Sequence, residues 1–127
     1  MPNVLADSSV IIEFFRPGGL KEVHDQIGLL LDKGELAVCG IVVSELLQGV
    51  RQEEKESLRD FLQEARYLEL SRVDFEAAGE ACNHLRKKGQ KVPITDGLIA
   101  SLCLRLKMPL YTLDSHFEQI HGLMLHK

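Results

Sequence analysis

Four carboxylates, Asp7, Glu45, Asp96 and Asp114, stand where acidic side chains can do chemistry and not merely solvate a surface. Asp7 directly follows the apolar run Val4-Leu5-Ala6, and Asp114 directly follows Leu110 to Leu113, so each is expected at the carboxyl end of a strand. In open parallel sheets the functional crevice lies beyond those ends. Asp96 shares a helical line with Ile99, Ala100 and Cys103, which turns its carboxylate toward the interior, where a charge needs a partner. Glu45 lies one face away from the stripe Val43, Leu46, Leu47 and Val50, free to point at a site or at water. If all four meet, they repel one another and raise each other's pKa unless a cation stands among them. Hard oxygen ligands then select Mg2+ or Mn2+. Such a centre suits phosphodiester hydrolysis: bound metal acidifies an attacking water, aligns the phosphate and neutralises the leaving oxygen.

Taken singly, each acid has a plainer explanation. Asp7 serves as well as a helix N-cap, Thr95 competes with Asp96 for the same capping position, Glu45 reads as a solvated helix residue, and Asp114 as a turn former. What the plainer account leaves unexplained is their joint placement at strand ends and helix starts.

The rest of the composition narrows the field. With 127 residues, 45% of them hydrophobic and 27% charged, the chain is sized for one soluble domain spanning 1–127. No apolar run nears the roughly 20 residues of a membrane helix, and the first apolar stretch breaks at Asp7 without forming a signal-peptide core, so the expected address is the cytoplasm. Cys39, Cys82 and Cys103 have no Cys-x-x-Cys spacing and read as core thiols. The five histidines show no paired helical spacing, which leaves oxygen as the metal ligand of choice. A net charge of −4 excludes nucleic-acid binding by bulk electrostatics, so any such role rests on local features. Arg86, Lys87, Lys88 and Lys91 form one basic cluster suited to phosphate contact, although cations ending a helix before Gly89 also follow from the helix dipole. A serine hydrolase lacks its Gly-x-Ser-x-Gly elbow here, and a nucleotide-binding enzyme lacks a glycine-rich phosphate loop. A receiver-like phosphoacceptor domain would carry an acidic pair where Ser8-Ser9 follow Asp7.

The elements that must position the acids alternate. Val4–Ala6 reads as a strand and Val10–Phe15 as a helix, broken by Pro17-Gly18-Gly19. Leu20–Lys33 carries a helical stripe and stops at Gly34. A strand over Leu36–Cys39 is punctuated by Gly40 and followed by the helix bearing Glu45. Glu53–Arg66 aligns Leu58, Phe61, Leu62 and Ala65 on a surface helix, a stripe that is either core or one wall of a partner groove. A strand over Tyr67–Leu70, a helix over Val73–Lys88, a buried helix over Thr95–Lys107, a strand over Met108–Leu113 and a weak strand over Gly122–Leu125 complete the chain. Strands alternating with helices predict an α/β class in three layers, with a short, mainly parallel central sheet.

The order Asp7-Ser8-Ser9-Val10-Ile11, Val43-Ser44-Glu45-Leu46 with Gly49, Thr95-Asp96-Gly97-Leu98-Ile99-Ala100 and Thr112-Leu113-Asp114 resembles a PIN domain over almost the whole chain. At this length it is similar to the VapC-type toxins of toxin–antitoxin pairs. The resemblance implies a three-layer α/β/α PIN-like fold and a metal-dependent endoribonuclease. In it, Asp7, Glu45, Asp96 and Asp114 hold Mg2+ or Mn2+, with Ser8 or Ser9 and Thr112 in support. It further implies an RNA substrate, an antitoxin protein and a homodimer. His116 departs from the pattern, standing before Phe117 where many relatives carry a further acid. It reads as a loop histidine or as a group for proton transfer or phosphate contact. The competing reading is a PIN-like module that binds RNA or protein without cutting.

Overall fold

The computed structural model describes residues 3–127. In chain order these form β1 (Val4–Ala6), α1 (Ser8–Phe15), α2 (Lys21–Asp32), β2 (Leu36–Cys39), α3 (Gly40–Gly49), α4 (Lys55–Glu64), β3 (Arg66–Leu68), α5 (Arg72–Lys87), α6 (Ile94–Leu106) and β4 (Leu110–Tyr111). Short 3-10 turns cover Gln52–Glu54 and Ser115–Gln119. The four strands lie in the order β3-β2-β1-β4, every pair parallel, and the six helices flank them, which is the three-layer α/β class that the alternation predicts.

β1 and β2 are short, continuous apolar runs because both of their faces are covered: Leu5, Ala6, Ala37, Val38 and Cys39 are fully buried. Around them Val10, Ile11, Ile27, Val42, Ile99 and Leu102 close the core. The chain steps outward from β1 through β2 to β3, then returns through α5 and α6 to place β4 on the other side of β1. The strand order therefore reverses between β1 and β4, and the crevice of such a sheet opens beyond their carboxyl ends. Among the described residues no helix is long and apolar enough to cross a membrane.

Three strand expectations need correction. β4 ends at Tyr111 and not at Leu113, because the next backbone donors turn to side chains: Leu113 N–H donates to Ser9 Oγ, and Asp114 N–H to Thr112 Oγ1. Asp114 consequently heads a 3-10 turn instead of directly following a strand. β3 covers Arg66–Leu68 because its partner β2 ends at Cys39, opposite Leu68, leaving Glu69 and Leu70 nothing to pair with. The final strand over Gly122–Leu125 reduces to a single bridge between Leu110 and Leu125. Gly40 does not interrupt the chain but opens α3, where the Tyr67 hydroxyl would lie 2.8 Å from a Cβ.

α5 and α6 are bolted together by an ion pair between a buried acid and an exposed arginine, which sequence patterning does not show. Asp74 is 1% exposed and accepts two hydrogen bonds from the Arg105 guanidinium, at 2.7 and 2.9 Å. The same carboxylate accepts the Ser71 N–H at 2.8 Å, completing a capping box at the start of α5. Arg105 foremost, with Ser71 helping, holds the Asp74 carboxyl below its ordinary 3.8 against the opposing effect of burial. A depressed folded-state pKa stabilises the fold above the unfolded value, and that contribution is lost as pH falls through the folded one. Asp74→Asn should therefore lower the unfolding free energy by about 2–3 kcal/mol near neutral pH. In urea titrations the deficit should narrow once the pH drops below 3.8; equal stability at neutral pH would show that the pair is idle.

Candidate active site

Asp7 leaves β1 into the crevice and is 5% exposed. It occupies the N-cap position of α1 with extended backbone, yet its side chain caps nothing. Instead Oδ2 accepts the Ser9 and Thr112 hydroxyls, each at 2.8 Å. Those hydroxyls lie 3.2 Å apart and in turn accept the N–H groups of Leu113 and Asp114. Two hydroxyls thus tie the end of β1 to the end of β4, and among the described residues they leave Asp7 Oδ1 free of hydrogen bonds. Capping does not account for this carboxylate.

The other acids arrive from three separate elements. Asp96 sits in the first turn of α6 and is 8% exposed, facing inward as its line with Ile99 and Cys103 requires. Glu45 projects from α3 on the face of Val42 and Leu46, where its Oε1 accepts the Ser8 hydroxyl at 3.1 Å. Asp114 opens the 3-10 turn anchored by buried Phe117, and its Oδ1 accepts the His116 N–H at 2.9 Å. Burial pushes the Asp96 carboxyl up to about 6, reinforced by Asp114, Asp7 and Glu45 and opposed by His116. Glu45 is also raised, first by burial and then by Asp7 and Asp114, with the Ser8 hydrogen bond opposing. The four carboxylates therefore share one electrostatic field.

His116 joins them. Its ring is about half exposed, as a loop histidine's would be, but Nδ1 lies 3.1 Å from Asp114 Oδ1 and 3.6 Å from Asp96 Oδ2. One ligand atom each from Asp96, Asp114 and His116 falls within 4.8 Å of the others. Asp7 and Glu45 stand outside this tightest trio while contributing to its charge. The placement follows from Asp114 and Phe117: the 3-10 turn that buries the phenyl ring brings the residue before it back over the acid that starts the turn. Buried like charges with an imidazole nitrogen and open carboxylate oxygens form a donor set that fits a divalent cation.

Other candidates fall elsewhere. Leu58, Phe61 and Ala65 are buried and belong to the core. Leu58 also touches a groove of about 440 Å³ that runs past Ile12, Phe15, Leu46 and Val50 to Glu45, a feature that periodicity could not reveal because its walls come from three helices. Cys39 and Cys103 are core thiols as read, the latter pushed up to about 12 by burial. Cys82 is only partly buried and packs against Gly97, where a Cβ would sit 2.6 Å from its sulfur. The basic cluster lies at the end of α5 and in the loop after it.

A family model described as PIN domain matches residues 4–123. No curated protein sequence matches the chain. Among solved structures it is similar to a chain of VapBC2 from Rickettsia felis bound to a promoter DNA fragment, at 23% identity and TM-score 0.81, covering 97% of this chain and 96% of that one. It is similar to a chain of FitAcB from Neisseria gonorrhoeae at 20% identity and TM-score 0.81, covering 97% and 96%. VapBC-1 from nontypeable Haemophilus influenzae gives 23% identity and TM-score 0.77 over 98% and 96%. At these identities the structures speak for the fold, and the family model for kinship. On that model's span, the chain belongs to the PIN domain family.

Proposed function

We propose that this chain is a divalent-metal-dependent endoribonuclease acting in the cytoplasm, the toxin of a VapBC-type pair. The observation that carries the reading is the convergence of Asp7, Glu45, Asp96 and Asp114, from four separate elements, on the crevice beyond β1 and β4. Asp96, Asp114 and His116 would hold the metal, with Asp7 and Glu45 completing its surroundings. When bound, Mg2+ or Mn2+ supplies Lewis acidity toward the phosphodiester and lowers the pKa of an attacking water.

The chain's own residues then do the positioning. Ser9 and Thr112 fix one oxygen of Asp7 and aim the other, and Ser8 does the same for Glu45. The His116 backbone N–H turns Asp114 toward Asp96. A nitrogen donor favours Mn2+ over Mg2+, since Mg2+ takes oxygen almost exclusively.

The groove beside Glu45 supports an antitoxin partner. It is mostly apolar, its wall residue Ile12 is 50% exposed, and it ends at a carboxylate of the site. An antitoxin segment with apolar side chains would fill it and close off Glu45, and a homodimer completes the reading. Related folds occur in the VapBC complexes named above.

Two outcomes follow. A mixed pool of structured RNAs incubated with antitoxin-free protein should be cut in Mg2+ or Mn2+ and left intact in EDTA. Asp7→Asn and Asp96→Asn should each slow cutting by about a hundredfold or more. Full activity in EDTA or in either variant would remove the reading, and no cutting under any condition would favour a binding module. Secondly, Mn2+ bound to the native chain should show electron spin-echo modulation from a directly bound 14N. His116→Asp should keep the ion and lose the modulation; a variant spectrum that matches the native one would exclude His116 as a ligand.

A further inference from the structure

A second cavity, of about 290 Å³, opens between the C-terminal half of α5 and the loop 88–93. Asn83, Arg86, Gln90 and Lys91 line it with donors, Cys82 forms part of its wall, and no acidic side chain faces it. Cys82 and Asn83 with Arg86 share one face of α5 by their helical spacing. The loop is folded back over that face by the turn at Gly89: φ is +83° there, and the Gln90 N–H donates to the Leu85 carbonyl at 2.9 Å. This brings Gln90 and Lys91 opposite Asn83 and Arg86.

The helix dipole explains cations at the end of α5, and Lys87 and Lys88 need no other account. It does not explain why Arg86 and Lys91 meet two carboxamides around a cavity. Among the described residues no carboxylate pairs with Arg86 or Lys91, as with most cations of the chain, so their charge is free for a ligand. A guanidinium fork, an ammonium and two amide N–H2 groups are a donor set for a phosphate oxygen cluster.

The cavity is also next to the candidate active site. Its Cys82 sulfur is packed against Gly97, the neighbour of Asp96 in α6, and Cys82 lies within the field of the Asp96 carboxylate. A chain with net charge −4 and four clustered acids repels RNA at the very place where it would be cut. A basic cavity whose wall packs against Gly97, the neighbour of Asp96, offers positive charge to the strand that leaves the crevice.

We propose that the cavity of Asn83, Arg86, Gln90 and Lys91 seats a backbone phosphate of the RNA, next along the strand from the linkage held at Asp96. The assignment rests on the ribonuclease reading above for its substrate. Arg86 takes two phosphate oxygens through its fork, Lys91 adds charge, and the two amides orient the group. The contacts are to the backbone, so the seat adds affinity and register without selecting sequence.

The test measures binding of a labelled single-stranded RNA to Asp96→Asn protein by fluorescence anisotropy over a series of salt concentrations, in EDTA. Adding Arg86→Gln with Lys91→Gln should weaken binding about tenfold and reduce the slope of log affinity against log salt by about 0.7, one phosphate no longer neutralised. The control pair Lys87→Gln with Lys88→Gln removes the same charge outside the cavity and should change much less. Equal weakening by both pairs would reduce the effect to bulk charge and overturn the seat, as would no weakening by either. Displacement of the RNA by millimolar inorganic phosphate at matched ionic strength would make the cavity a free-ion site and overturn the assignment to RNA. Cleavage by the native chain separates the two readings. RNA that is cut while the cavity variants bind it undiminished sinks the seat alone. RNA that is bound through the cavity and never cut sinks the nuclease reading alone, and RNA that is not bound at all sinks both.

Discussion

Carboxylates that repel one another cannot be gathered at a sheet edge unless something else in the fold holds them there. Asp7, Glu45, Asp96 and Asp114 arrive from β1, α3, α6 and the turn after β4, and burial adds to their mutual repulsion instead of relieving it. What holds Asp7, Glu45 and Asp114 is a set of neutral donors, while Asp96 is placed by the buried first turn of α6. Ser8, Ser9 and Thr112 each give a hydroxyl hydrogen bond to one carboxylate oxygen, and the backbone N–H groups of Leu113, Asp114 and His116 complete the frame. No lysine or arginine lies within ion-pair distance of these four acids among the described residues. Neutral donors orient the oxygens without cancelling their charge, which leaves the charge available to a cation.

The rest of the architecture supplies rigidity on either side of that frame. β1 and β2 contribute a parallel core in which every side chain is buried. On the α6 side, the Asp74–Arg105 pair fixes the helix carrying Asp96 against α5. Here a buried charge is matched by a guanidinium, the opposite solution to the one used in the crevice. The contrast is informative: where the fold needs stability it neutralises an acid, and where the proposed chemistry needs charge it does not.

Much of this was legible in the sequence because it depends on local pattern. Continuous apolar runs marked β1 and β2, the line through Ile99 and Cys103 placed Asp96 inward, and Gly34 and Gly89 marked helix ends, both at positive φ. What escaped depends on distance in the chain. β4 is shorter than its apolar run predicts because Ser9, more than a hundred residues earlier, captures a backbone donor that a strand would use. Asp74 has no local signal as a buried acid, since its partner Arg105 lies 31 residues away on another helix. Sequence leaves His116 open between a loop histidine and a group for proton transfer or phosphate contact; only the turn that buries Phe117 shows that its ring comes back over Asp96 and Asp114. Glu45, ambiguous by periodicity, accepts a hydrogen bond from a hydroxyl 37 residues before it.

The central claim is that the crevice is an electrostatic frame completed by a cation. It is tested most directly by equilibrium unfolding of the native chain and of Asp96→Asn at pH 8, in EDTA and again in Mn2+. The Asp96 carboxyl is raised from 3.8 to about 6 in the folded state, so its charge destabilises the fold above pH 6 and the cost disappears as pH falls toward 3.8. In EDTA the variant should be the more stable by about 2–3 kcal/mol, an advantage that shrinks below pH 6. In Mn2+ the order should reverse, because the ion binds the native frame and lifts its stability by mass action. A native chain that is already the more stable in EDTA, with Mn2+ moving both proteins alike, would contradict the account.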